Sequence, residues 1–262
     1  MPLPMVHLLT AQRWATGRPE LWDCPEFYLG TIAPDAIHMR PGVDRDDKRV
    51  THLDVWTGGP TKALDYLSDR SSAFDVGYAL HIMTDFYWVR HVRRTFPQLV
   101  GPDGRLIGEI YYPDCDQADE GLYSESPERT GIWRLLKLAT PPEDHPMLSG
   151  REIDGWRQRI LTGFGVRPIR PARMITFETV RNFIELVQPS LMAFRQAETS
   201  LNSGDGASLS PLFNSPAFPC VPFAPLRHSS RNAAMSAYTL SRSGSFRISC
   251  LMPSYTLALT CA

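Results

Sequence analysis

Hydrophobic residues recur at helical spacing along the first 198 residues of the chain. The clearest segment, Ser72–Arg94, is apolar on nearly every side, which is typical of a helix buried in a core. Alternation with a period of two residues is rare, so the pattern does not favour β-strands. We therefore expect an all-α multi-helix bundle. The predicted helices cover residues 5–16, 25–32, 72–94, 150–162 and 174–198, with further helix around 65–67 and from about 117 onward.

Charged and turn-forming residues separate these helices. Pro34 ends the second helix, because proline disfavours helical geometry at the residue before it. Gly42–Arg49 is interpreted as a charged loop. Pro97–Gly108 is interpreted as a turn-rich connection, with a tight turn at residues 101–104.

The composition changes abruptly after residue 198. Residues 199–262 contain one acidic residue, Asp205, against 27 in the preceding part, together with thirteen serines and six prolines. Two explanations stay open: a disordered, irregular Ser/Pro-rich tail, or a shift of reading frame that makes these residues a non-native C-terminus. We therefore expect an all-α domain over residues 1–198 and little function from residues 199–262.

Overall composition excludes several classes of protein. The formal net charge of −1 gives no basic surplus for nucleic-acid binding. The five cysteines form no C-x-x-C pair, so neither a disulfide framework nor a thiolate zinc finger is predicted. No apolar run approaches the length of a transmembrane helix, and the N-terminus does not resemble a signal peptide. A cytoplasmic protein is therefore expected.

Candidate metal chemistry is concentrated near the N-terminus. Five of the seven histidines lie within the first 91 residues. His81 and Asp85 stand four residues apart on the expected core helix, so their side chains share one face and can bind one metal ion. A buried carboxylate needs such a partner, because uncompensated buried charge is costly. A His–Asp hydrogen bond within the core is the structural alternative.

Four segments together resemble the zinc-dependent phospholipase C family. They are Met5-Val6-His7, the run FYLGTIAPDAIH at residues 27–38, Thr51-His52-Leu53, and Gly77-Tyr78 followed by His81, Asp85 and His91. Their order and spacing are also similar to those of the related all-α trinuclear zinc phosphodiesterases and nucleases. The resemblance covers about residues 1–120. It implies a helical bundle of the phospholipase C type that holds one to three zinc ions.

The resemblance implies a specific set of ligands. Asp35, His52, His81 and Asp85 match the ligands of one zinc ion, and Asp85 also matches the bridge to a second zinc bound by His7. Asp35 or Asp85 would orient or deprotonate the attacking water, and Asp35 is the candidate catalytic residue. Structural alternatives remain: His7 as a core histidine, His52 as a loop histidine and Asp35 as a helix cap.

The third zinc position departs from the family pattern. His91 matches its first ligand, but no H-x3-E pair follows to complete the site. Asp114, Asp116 or Asp119 can substitute as ligands, although a solvated acidic face is the competing interpretation. His91 itself also fits the solvated end of a helix, because Arg90, Arg93 and Arg94 surround it.

The expected activity is zinc-dependent hydrolysis of a phosphoester, because zinc can activate water and stabilise charge at phosphorus. The expected partner is a phosphoester small molecule or a phospholipid headgroup, and the oligomeric state is left open. A metal-stabilised binding or structural protein that has lost part of the cluster is the alternative from another class. A single-strand nuclease is less favoured, because the sequence has no basic stripe with interleaved aromatic residues.

Overall fold

In the computed structural model, residues 4–102, 104–166 and 170–203 are described, and 71% of the interpretable residues are helical with no β-strand among them. The expected all-α class is therefore confirmed for this part of the chain. The helices, in chain order, are α1 (Pro4–Trp14), α2 (Pro19–Trp22), α3 (Pro25–Gly30), the 3-10 helix η1 (Ala33–Met39), α4 (Arg45–Thr51), α5 (Val55–Gly58), α6 (Thr61–Leu67), α7 (Ala73–Thr95), the 3-10 helix η2 (Pro97–Leu99), α8 (Gly108–Glu125), α9 (Arg129–Leu138), α10 (Gly150–Gly163) and α11 (Phe177–Ser203).

Helix α7 is the central element of the core, as the hydrophobic pattern predicts. It packs against α1, α3, α6 and α11 and against η1. Every residue from Val76 to Val89 is buried, including the polar side chains of His81, Thr84 and Asp85. Ser72 caps the start of the helix, because its side chain accepts a hydrogen bond from the backbone N–H of Asp75.

Two glycines allow α3 and α7 to pack backbone against backbone. A Cβ atom on Gly30 would lie 2.1 Å from the carbonyl oxygen of Phe74, and one on Gly77 would lie 2.1 Å from the carbonyl oxygen of Phe27. Any larger residue at either position would therefore force the helices apart. This contact brings the residue after α3, Thr31, next to α7.

The prediction of a loop over residues 42–49 is wrong, because α4 begins within this segment at Arg45. The side chain of Asp44 accepts from the backbone N–H of Asp47, and the side chain of Asp47 accepts from the backbone N–H of Asp44. This reciprocal cap starts the helix with two aspartates, whereas the usual signature is a Ser or Thr followed by Glu or Gln.

The prediction that a helix starts near Gln117 is also wrong, because α8 begins at Gly108. Pro113 lies inside α8 near its exposed side, and its missing N–H would have reached the carbonyl of exposed Glu109. That carbonyl lies where water can satisfy it, so the proline does not end the helix. Residues 126–128 then separate α8 from α9, so the expected continuous helix is two helices.

Helix α11 runs to Ser203, past the boundary expected after residue 198. The rest of the proposed tail, residues 204–262, lies outside the described residues, as do both explanations for it. Within the tight turn expected at residues 101–104, residue 103 lies outside the described residues, and the N–H of Gly104 donates to the carbonyl of Gly101 at 2.9 Å. Among the described helices, none is both long enough and apolar enough to cross a membrane.

His145 packs against aromatic rings beside and on α7. Its ring centroid lies 4.9 Å from that of Tyr78. The backbone N–H of Met147 donates to Nδ1 of His145, and Nε2 lies 3.2 Å from the hydroxyl of Tyr66, which donates to Asp75. Because Nδ1 accepts a hydrogen bond, these contacts suit the neutral imidazole. Burial lowers the pKa of His145 from 6.5 to about 4.

The glycine contact predicts a large stability effect at Gly77. We expect Gly77→Ala to lower the free energy of unfolding by about 3 kcal/mol, at the upper end of the usual cost of overpacking, because the added methyl meets fixed backbone. Gly131→Ala is the matched control, since a Cβ there meets no atom within 4 Å. It should be neutral or stabilising by about 0.5–1 kcal/mol. Urea unfolding measures both, and equal effects would contradict close packing of α3 and α7.

The His145 contacts predict a pH dependence of stability. Between about pH 6.5 and pH 4 the unfolded chain binds a proton at His145 that the folded protein does not, so stability is lost as pH falls through this window. His145→Gln removes this contribution. The difference in unfolding free energy between wild type and variant should therefore shrink from pH 7 to pH 5. A difference that stays constant with pH would show that His145 titrates normally in the fold.

Candidate metal centre

Five polar side chains from four elements meet in the core. His7 comes from α1, Asp35 from η1, His52 from the residue that ends α4, and His81 and Asp85 from α7. Each is at most 4% exposed, so water at the protein surface cannot satisfy them. All five belong to the ligand set that the sequence predicts.

Asp85 lies at the middle of this cluster. Its Oδ1 atom is 3.5 Å from Nε2 of His7, while Oδ2 is 3.5 Å from Nε2 of His52 and 3.9 Å from Nε2 of His81. These separations exceed ordinary hydrogen-bond lengths. Both carboxylate oxygens and all three Nε2 atoms are buried without a hydrogen-bond partner among the described residues. Buried polar atoms are rarely left in this state, so the cluster has the character of a metal site.

Backbone carbonyls orient two of the imidazoles. Nδ1 of His81 lies 2.8 Å from the carbonyl oxygen of Thr31, and Nδ1 of His52 lies 3.0 Å from the carbonyl oxygen of Lys48. A carbonyl only accepts, so each Nδ1 carries the proton and each Nε2 presents a lone pair to the cluster. Metal-binding histidines are held in this way. Thr31 is in reach because α3 and α7 approach so closely, and Lys48 stands one helical turn before His52.

The ligand atoms fall into two overlapping sets. One contains His7, Asp35 and His81, and the other contains His52, His81 and Asp85; within each set the ligand atoms lie within 4.8 Å of one another. The rings of His7 and His81 are also stacked, with centroids 3.7 Å apart. Two imidazoles with one carboxylate suit zinc, although other transition metals also bind such sets. The donor atoms present therefore fit a metal ion.

The protein environment favours the protonation states that a metal requires. Burial lowers the pKa of His7 well below its usual value, and the nearby His81 lowers it further; burial also lowers the pKa of His52. Burial alone would raise the pKa of Asp35, but the Lys48 ammonium and neighbouring His52 hold it well below its usual value. Neutral imidazoles and an ionised carboxylate are the ligand forms, so a metal displaces few protons here.

The structure does not bring His91 to this cluster. His91 follows His81 by ten residues on α7, which places it about 15 Å further along the helix axis. Its ring lies 6.0 Å from that of Trp88 and 5.4 Å from that of Phe183 on α11. Neither donor set found in the described part of the chain includes it.

Asp114 and Asp119 on α8 bind backbone amides, and neither donor set found in the described part of the chain includes Asp114, Asp116 or Asp119. Asp114 accepts from the N–H groups of residues 173–175 at 2.6–3.0 Å. Asp119 accepts from Met5 at 3.0 Å and from Val6 at 3.3 Å. Both side chains are 3% exposed, so a solvated acidic face is the wrong interpretation for them. Asp119 satisfies the first amides of α1 and thereby fixes the helix that carries His7.

Sequence reasoning missed Lys48 and Thr31. Thr31 acts through its carbonyl, which every residue possesses, so no side-chain signal identifies it. Lys48 lies in the segment interpreted as a loop, and only the helix α4 places it one turn before His52. His38, the last residue of the run at 27–38, lies with its Nε2 atom 3.8 Å from Oδ1 of Asp35. No protein-family model, curated protein or solved structure matches this chain.

The central position of Asp85 predicts loss of metal binding when its charge is removed. We expect Asp85→Asn to weaken zinc binding at least 10–100-fold and to reduce the rise in melting temperature on adding zinc, because metal binding and folding are linked. The control is Asp46→Asn, whose carboxylate is 81% exposed on α4. Metal analysis after dialysis, with thermal unfolding, measures both effects. Wild-type zinc affinity in Asp85→Asn would exclude Asp85 as a ligand.

Proposed function

We propose that this protein is a zinc-dependent hydrolase of phosphoester bonds, similar in chemistry to the zinc-dependent phospholipase C family. One observation carries the proposal: buried imidazole and carboxylate atoms converge without hydrogen-bond partners, while backbone carbonyls fix two of the rings. The residues that would hold the metal are His7, Asp35, His52, His81 and Asp85. A zinc ion bound there would activate water and stabilise negative charge at phosphorus.

Asp35 is the residue best placed to act on a substrate. It lies at the edge of the cluster, 3.4 Å from Nε2 of His52 on one side and 3.0 Å from the Lys48 ammonium on the other. The side chains of Lys48 and His38 are 17% and 37% exposed, whereas those of His52 and Asp85 are fully buried. A substrate would therefore approach from the side of Asp35. There the ionised carboxylate can orient water for attack.

A second candidate is a metal-stabilised protein without catalytic activity. The burial of His52 and Asp85 favours it, because structural metal sites are closed and catalytic sites keep an open position. Both candidates predict tightly bound metal in a purified sample, with fewer ions in a protein that has lost part of the cluster. They differ in whether a substrate can reach the bound metal from the Asp35 side.

Metal analysis combined with a substrate panel separates these candidates. We propose to treat the protein with chelator, reload it with zinc, and assay bis(4-nitrophenyl) phosphate, a phosphatidylcholine analogue and single-stranded DNA. The hydrolase proposal expects phosphodiester turnover that is lost on chelation and restored by zinc. Tightly bound zinc without turnover of any substrate would favour the structural alternative. Cleavage confined to DNA would favour a nuclease.

Replacement of the Asp35 carboxylate should affect turnover more than folding. We expect Asp35→Asn at saturating zinc to lower the rate constant for turnover about 10²–10⁴-fold, because an amide cannot accept a proton or orient water as a carboxylate does. The free energy of unfolding should change much less, since Asp35 lies at the edge of the cluster. Asp46→Asn again serves as the exposed control. An unchanged rate in Asp35→Asn would remove Asp35 from the mechanism.

A further inference from the structure

Lys48 presents a cation at the outer edge of the candidate metal centre. Its Nζ atom lies 3.0 Å from Oδ1 of Asp35 and 3.2 Å from Nε2 of His38. The backbone of the same residue accepts from Nδ1 of His52. Lys48 therefore contacts one candidate ligand through its side chain and orients another through its carbonyl.

The hydrogen-bonding capacity of the Lys48 ammonium is only partly used. An ammonium group has three N–H donors and no acceptor, so Nε2 of His38 must accept in their contact. Asp35 and His38 account for two donors. Among the contacts of the described residues, none occupies the third. The side chain is 17% exposed, so Lys48 lies between the buried cluster and solvent.

Two aromatic rings and a second cation lie near Lys48. The ring of His38 lies 5.9 Å from that of Trp156 on α10, and the guanidinium of Arg159 lies 5.5 Å from the Trp156 ring. A series of contacts thus runs from Lys48 through the rings of His38 and Trp156 to Arg159. The positive charges of Lys48 and Arg159 favour the approach of an anion from the Asp35 side of the cluster.

We propose that Lys48 binds a negatively charged oxygen of the substrate and makes the site selective for anionic phosphoesters over neutral ones. This inference rests on the proposed hydrolase function and adds a specificity-determining residue to it. A hydrogen bond from an ammonium to a phosphoryl oxygen is charge-assisted, which makes it stronger than a neutral one. The competing explanation is that Lys48 only neutralises the charge of Asp35.

A comparison of two substrates with the same leaving group tests the proposal. The substrates are bis(4-nitrophenyl) phosphate, with one negative charge, and a neutral 4-nitrophenyl phosphotriester, both at zinc concentrations that saturate each variant. We expect Lys48→Met to lower the diester-to-triester ratio of kcat/KM about 10–100-fold. Lys48→Arg, which keeps the charge, should stay within a few-fold of wild type. Parallel changes for both substrates, or no change, would overturn the proposal.

Binding of inorganic phosphate to the zinc-loaded protein provides a readout that does not need turnover. We expect Lys48→Met to weaken phosphate binding at least about ten-fold in calorimetry. Lys137→Met is the matched control, because Lys137 is an exposed lysine on α9. If no phosphoester is hydrolysed, the hydrolase proposal fails while this measurement still decides the anion site. Equal phosphate affinity in Lys48→Met and wild type would overturn the proposal that Lys48 binds an anionic oxygen.

Discussion

The structure depends on how the buried carboxylate of Asp85 is compensated. Asp85 is 0% exposed, and neither of its oxygens has a hydrogen-bond partner in the described part of the chain. An ion left alone in this environment costs several kcal/mol. The three imidazoles around it present Nε2 atoms that are equally unpartnered. Metal bound at the two overlapping donor sets would give these atoms partners.

The helices that surround the cluster are arranged to hold it. Gly30 and Gly77 let α3 and α7 approach closely, which brings the carbonyl of Thr31 to His81. The cap formed by Asp44 and Asp47 starts α4, and α4 then supplies the carbonyl that orients His52. Asp119 binds the first amides of α1 and so positions His7, although it lies outside the donor sets. Much of the geometry of the candidate site is thus set by groups outside the two donor sets.

Sequence reasoning could predict what depends on side-chain type and periodicity. The apolar run around His81 and Asp85 predicts a core helix, and the spacing of the two residues predicts a shared face. Sequence reasoning could not predict the features that depend on backbone placement or on unusual helix caps. The sequence carries weak signals or none for three such features: the aspartate cap of α4, the proline tolerated within α8 and the Thr31 carbonyl. His91 shows the same limit, because its packing against Phe183 depends on where α11 lies.

The most direct test of the account is the stoichiometry and coordination of zinc in the reconstituted protein, by metal analysis combined with X-ray absorption spectroscopy. The account predicts at least one tightly bound ion per chain, coordinated by imidazole nitrogen and carboxylate oxygen without sulfur. A protein that takes up no stoichiometric metal, or that binds zinc through cysteine sulfur, would contradict it. Either result would mean that the buried carboxylate and imidazoles are compensated in some other way.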